Sequence, residues 1–157
     1  MRVTAWRIVN KKHAAAAFSG EGARIYGGRW NPVGHVMIYT AQNLSLAILE
    51  LIVHLNEYAD MLAYTAIPVE FAEIQTKILT KEELPQNWSS LPLPQETQVI
   101  GKAWLDGLQS LVLKVPSAIV PGESNYLINP MHPDFQSLAI GPPLSLQIDP
   151  RLAAKLQ

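Results

Sequence analysis

The longest periodic stretch of the chain is 44-LSLAILELIVHLNEY-58, where Leu44, Leu46, Ile48, Leu49, Leu51, Ile52, Val53 and Leu55 recur at helical intervals and cover most of a circumference. That pattern predicts a largely buried helix, with Gln42-Asn43 offering a turn and an N-cap ahead of it. Its long polar side chains are Glu50, His54 and Glu57, and their i, i+4, i+7 spacing places all three on one face. Upstream, β-branched and aromatic content predicts strands over 3–9 and 35–41, with a brief helix over 13–18 between them. Downstream, strands are expected over 62–71 and 74–79, then a proline-spotted surface loop over 85–95 and a helix over about 96–110. Short apolar runs at 111–120, 126–128 and 137–148, broken by Pro and Gly, continue the β character, with a single helical turn over 131–135.

Strands and helices alternate without the steady rhythm of a doubly wound sheet, which predicts an α+β fold with a mixed, largely antiparallel sheet. The length of 157 residues, with no repeat or linker, suits a single compact domain over 1–157. Charged residues are 16% of the chain and apolar ones 48%, so the sequence is core-rich rather than disordered. A formal charge of −1 leaves no broad basic face, which argues against direct nucleic-acid binding and requires any anion to be held locally. Cysteine is absent, excluding a disulfide framework and fitting a reducing, cytoplasmic setting. No window approaches the roughly 18 apolar residues of a spanning helix, and the N-terminus lacks a secretory core, so no membrane association is expected.

Candidate chemistry begins in 22-GARIYGGRWNPVGHVMIYTA-41. Two tight turns flank Arg29, whose planar fork could grip a phosphate bidentately or could bridge two loops through backbone carbonyls. The stretch is neither a P-loop nor a dinucleotide fingerprint. Glu50 is costly to bury in so apolar a helix. It could be a salt-bridge partner of Arg7 or Arg29, part of an exposed polar stripe, or a carboxylate aimed at developing positive charge in a cleft. Tyr39, eleven residues earlier, could be core or could offer a flat ring to a ligand. In 117-SAIVPGESNYLINPMHPDF-135, Ser117, Asn125 and their polar neighbours could simply form turns. The histidines lack metal-ligand spacing, and no nucleophile elbow is present, so neither a metal site nor a serine hydrolase is expected.

These blocks, GARIYGGRWNPVGHVMIYTA, LAILELIVHL and SAIVPGESNYLINPMHPDF, resemble the signatures of the RES domain family from about residue 6 to 143. The naming arginine, glutamate and serine of that family fall on Arg29, Glu50 and Ser117. The resemblance implies a fold similar to the ADP-ribosyltransferases and the role of toxin in a toxin–antitoxin pair, neutralised by an Xre-type helix-turn-helix antitoxin. It implies cleavage of the nicotinamide–ribose bond of NAD by phosphorolysis or hydrolysis, with NAD as substrate, inorganic phosphate as co-substrate in the first case, and no further cofactor. ADP-ribosylation of a protein target, or a non-catalytic nucleotide-binding module, are the alternatives. On this reading Glu50 stabilises positive charge on the ribose, Tyr39 stacks on nicotinamide and Arg29 meets the pyrophosphate or phosphate. Arg7, Ser117 and Asn125 bind the ligand or orient Glu50. The apolar helix leaves room for a homodimer interface.

Overall fold

The computed structural model describes residues 1–55 and 57–155. Eight strands form one sheet: β1 (Arg2–Asn10), β2 (Ile38–Ala41), β3 (Tyr64–Ala72), β4 (Thr76–Ile78), β5 (Val112–Pro116), β6 (Ser124–Ile128), β7 (Ala139–Ile140) and β8 (Leu144–Ser145). Their order is β4-β5-β6-β2-β1-β3-β7, with β8 also pairing β3. Among the described residues only β4 and β5 run parallel; the other pairs are antiparallel, as the irregular alternation of elements predicts.

Three α-helices dress the sheet: α1 (Glu21–Tyr26), α2 (Leu44–Ile52) and α3 (Gln95–Gly107). Side-chain alternation along β1 divides the core. Trp6 and Ile8 face α2 and pack with Ala41, Leu46 and Ala47. The other face of the sheet buries Ala5, Ile38, Val69, Phe71, Val112, Tyr126 and Ile128 under Phe18, Phe135 and Leu138. A further cluster joins Trp30, Met37, Trp104, Leu105, Leu113, Val115 and Leu127 beneath α3.

Two expectations fail at α2. Asn43 caps the helix as predicted, its side chain accepting from the Leu46 amide at 2.7 Å. The helix then ends at Ile52 rather than running to 58, and the His54 and Leu55 amides tighten onto the Leu51 and Ile52 carbonyls. Two adjacent β-branched residues, Ile52 and Val53, weaken the helix there. The chain must also turn back through 58–63 to start β3, whose Tyr64 pairs with Asn10. His54 and Glu57 therefore do not continue the helical face of Glu50. Nor is the helix largely buried: Leu46 and Ala47 are its buried residues, whereas Leu49 is 43% and Val53 beyond its end 58% exposed.

No helix among the described residues is long and apolar enough to cross a membrane.

Candidate functional site

The site is built around β2 and the turn that precedes it. Asn31, fully buried, organises that turn: its amide nitrogen donates to the carbonyls of Ala23 (2.8 Å), His35 (3.0 Å) and Pro32 (3.2 Å). Its side-chain oxygen accepts from the Tyr39 hydroxyl at 2.7 Å, and the same hydroxyl accepts from the Trp30 amide at 3.0 Å. Gly28 lets the ring come this close, since a Cβ there would lie 2.6 Å from the Tyr39 oxygen. Burial pushes the phenol far above its ordinary pKa. Tyr39 is thus a neutral, doubly anchored ring, not a proton donor awaiting use.

Arg29 follows at once in the turn. Its Nη1 donates to the carbonyls of Trp88 (2.8 Å) and Ser90 (3.0 Å), bridging two loops. This occupies one nitrogen; Nε and Nη2 have no protein acceptor among the described residues. Partial burial lowers its pKa, opposed by the neighbouring Tyr39.

At the other end of β2, Ala41 pairs with Asn125 of β6. Asn125 donates to Glu50 Oε1 at 2.8 Å and to the Thr40 carbonyl at 3.2 Å, so α2 and β6 meet at the carboxylate. The Ser117 side chain lies near enough to Glu50 to draw its pKa down as well. That hydroxyl oxygen already accepts the amides of Ile119 (3.0 Å) and Val120 (3.1 Å), which leaves its proton for the carboxylate. Burial raises the Glu50 pKa, and the two neutral donors pull it partway back.

Arg7 leaves β1 on the face opposite α2, in register with Ile67. β1 and β2 share a single register pair, Trp6 with Ala41, and beyond it the Tyr39 carbonyl takes Arg7 Nη1 at 3.1 Å while Nε donates to the Ala17 carbonyl. Arg7 therefore plugs the point where the sheet divides. Burial lowers its pKa to about 10, low for arginine yet high enough to keep the charge at neutral pH.

A hydrogen bond thus ties Glu50 to Asn125 with Ser117 beside the carboxylate, and Tyr39 links the Arg29 turn to Arg7. Glu50 forms no salt bridge with Arg7 or Arg29, and neither arginine has a carboxylate partner among the described residues. The ion-pair explanation of Glu50 is therefore excluded. A purely structural buried charge would be expected to find its counter-charge; here Glu50 is held by neutral groups, and Arg7 and Arg29 are held by backbone carbonyls.

Sequence reasoning reached Asn31 only as part of a turn with Pro32 and Gly34, not as the anchor of Tyr39, and Thr97, Gln98 and Gly101 of α3 carry no motif. Asn-Pro followed by Gly in 31-NPVG-34 was the available sign for the first. Contacts to backbone across some seventy positions leave no sign for the others.

Comparison with known proteins places this geometry. A model of the RES domain matches residues 4–149. "Toxin Res" of Yersinia enterocolitica is 42% identical over 148 residues, 94% of this chain and 97% of that protein. "Prs ADP-ribosylating toxin" of a Sphingobium species is 35% identical over 160 residues, 99% of each. Among solved structures, a chain of the M. tuberculosis MbcT–MbcA toxin–antitoxin complex matches with a TM-score of 0.74 at 22% identity, covering 99% of this chain and 89% of that one. That likeness concerns the fold, whereas the family match and the closer sequence identities concern descent. With both running nearly end to end, this chain belongs to the RES domain family.

Proposed function

We propose that the protein is a toxin that cleaves the nicotinamide–ribose bond of NAD, transferring the ribosyl group to phosphate or water. The observation that carries this reading is Glu50: a desolvated carboxylate with no cation, held by Asn125 with Ser117 beside it. Cleavage of a ribosyl–nicotinamide bond builds oxocarbenium-like positive charge on the sugar. A fixed, underneutralised carboxylate favours that state over the neutral-ribose ground state, which is the condition for acceleration. Arg29, with Nε and Nη2 unengaged, meets the pyrophosphate or an incoming phosphate, and Arg7 has Nη2 left for a ligand oxygen. Tyr39, its hydroxyl engaged on both sides and its ring packed on one side against the Trp30 cluster, would offer its remaining ring surface to nicotinamide. Nicotinamide departs as a neutral molecule, so no proton need be delivered to it.

The Sphingobium relative's name, at 35% identity over the full length, favours a second reading in which the acceptor is a protein side chain. The complex that contains the structural neighbour supports an antitoxin as the natural partner; an Xre-type helix-turn-helix protein, a homodimer and a cytoplasmic setting belong to the same proposal.

The test is product analysis. NAD carrying a label in its ADP-ribose part is incubated with the protein in phosphate buffer, in phosphate-free buffer, and with host lysate. Free nicotinamide with ADP-ribose 1″-phosphate identifies phosphorolysis, with ADP-ribose hydrolysis, and label on a polypeptide the second reading. A folded Glu50→Gln variant should lose at least about a hundredfold in turnover, the scale of removing one transition-state electrostatic contact. Parent-like turnover by that variant would refute the assignment.

A further inference from the structure

The segment from 88 to 101, silent as sequence, makes an ordered set of contacts with the Arg29 turn. Three consecutive carbonyls of that turn each meet a different residue on one face of α3. The Gly28 carbonyl accepts from Gln98 Nε2 at 3.0 Å. The Arg29 carbonyl accepts from the Thr97 hydroxyl, which also contacts the Pro94 carbonyl at 3.1 Å. The Trp30 carbonyl lies where a side chain at 101 would be: a Cβ built on Gly101 falls 1.6 Å from that oxygen. Positions 97, 98 and 101 share a helix face by their i, i+1, i+4 spacing. Just before this helix, the carbonyls of Trp88 and Ser90 hold Nη1 of the same arginine.

One stretch of chain therefore grips Arg29 twice, at its backbone through α3 and at its guanidinium through the loop. Thr97 is fully buried, and its hydroxyl has no task other than these two carbonyls. A helix packing only for its apolar face would use the Trp104 and Leu105 contacts and would not require hydrogen bonds to successive turn carbonyls. The loop carbonyls hold Nη1 and leave Nε and Nη2 without a protein acceptor among the described residues, and the helix fixes the height of the main chain from which the guanidinium springs.

We propose that Thr97 and Gln98 are positioning residues for Arg29, setting where its unengaged Nε and Nη2 edge meets a ligand's phosphate oxygens. The inference rests on the reading of Arg29 as a ligand-binding group. It predicts that Thr97→Val, which keeps the shape and removes the hydroxyl, and Gln98→Ala each reproduce in part the defect of Arg29→Ala.

The experiment combines steady-state NAD consumption with ADP-ribose binding by calorimetry, in single variants and in each paired with Arg29→Ala. Thr97→Val and Gln98→Ala should each lower kcat/KM about tenfold and weaken ADP-ribose binding similarly, a loss of the size expected for a misplaced binding group. Thr97→Ser, which restores the hydroxyl, should return near-parent values. In the Arg29→Ala background the same changes should have almost no further effect, because they act through the arginine. Equal losses in both backgrounds would mark a merely structural contribution and overturn the proposal. Parent-like kinetics and binding in Thr97→Val and Gln98→Ala, with Arg29→Ala impaired, would overturn it while leaving the reading of Arg29 standing. A parent protein that neither consumes NAD nor binds ADP-ribose, or an Arg29→Ala variant matching an active parent, would remove the reading itself and this inference with it.

Discussion

Glu50 is held in tension between desolvation, which raises its pKa, and two neutral donors, which lower it. On the proposed function, catalysis through an ionised carboxylate should fail as pH falls through that raised pKa, which puts the acid limb of the rate profile above the ordinary glutamate range. Asn125→Ala removes a donor that favours the charged form and should move this limb to higher pH; an unmoved limb would show that another group sets it. The same shift has a consequence for folding. A carboxyl whose folded pKa is raised stabilises the native state fully only below its unfolded pKa and loses that contribution as pH rises through the folded pKa. At neutral pH the charge is therefore a cost. Glu50→Gln should raise the thermal midpoint at pH 7, and its advantage over the parent should shrink as pH falls toward the ordinary glutamate pKa, since the parent then protonates. Calorimetric scans at several pH values decide this; a variant less stable at pH 7 would mean that its lost hydrogen-bond geometry outweighs the relieved charge.

At the scale of elements, Gly101 decides how α3 seats on the turn. Alanine is intrinsically better in a helix by about 1 kcal/mol. Its Cβ would nevertheless lie 1.6 Å from the Trp30 carbonyl, a backbone atom that cannot swing aside, so α3 must move by more than an ångström. Overpacking of that kind costs about 1–3 kcal/mol and should win over propensity. Gly101→Ala is expected to lower the unfolding midpoint and NAD turnover together. Gly107→Ala at the end of the same helix is the control, since its Cβ would meet only the Gln109 side chain at 4.0 Å. A stabilised Gly101→Ala protein would refute the close seating. Elements whose cause is local were legible in the sequence: the strand at Arg2–Asn10 by its composition, the cap at Asn43, the turn at Pro133–Ser137. The α+β class followed from their irregular order. What escaped was set by tertiary demands. No Gly or Pro marks Ile52, and its β-branched pair with Val53 only weakens the helix, which stops there because β3 must begin beside β1. The loop carbonyls at 88 and 90 are backbone groups that any residue supplies, so no side-chain pattern could announce their grip on Arg29. Glu50 stood out because charge in an apolar helix is conspicuous, but its donors come from 67 and 75 positions away, beyond the reach of periodicity.

For the whole molecule, these local choices add in one direction. The native state keeps Glu50 without a counter-charge, keeps Arg7 charged at the cost that brings its pKa to about 10, and leaves donors of two guanidinium groups unengaged. The buried charges lower the stability of the empty protein, and on the proposed function a ligand with anionic oxygens and a sugar that develops positive charge would relieve them. Ligand binding to the native state alone adds RT ln(1 + [L]/Kd), about 2.7 kcal/mol at a hundredfold excess over Kd. For a domain of this size that corresponds to a rise of about 5–10 °C in Tm. Glu50→Gln is the suitable protein for the measurement, because it should bind NAD without consuming it. Its midpoint should climb with NAD concentration along the logarithmic law, and less in the Glu50→Gln, Arg29→Ala double variant, whose binding edge is gone. Nicotinamide alone, lacking the phosphates, should shift it little. A midpoint indifferent to millimolar NAD would mean that the unpaired charges do not await this ligand. A rise equal in both variants would place the bound phosphates away from Arg29.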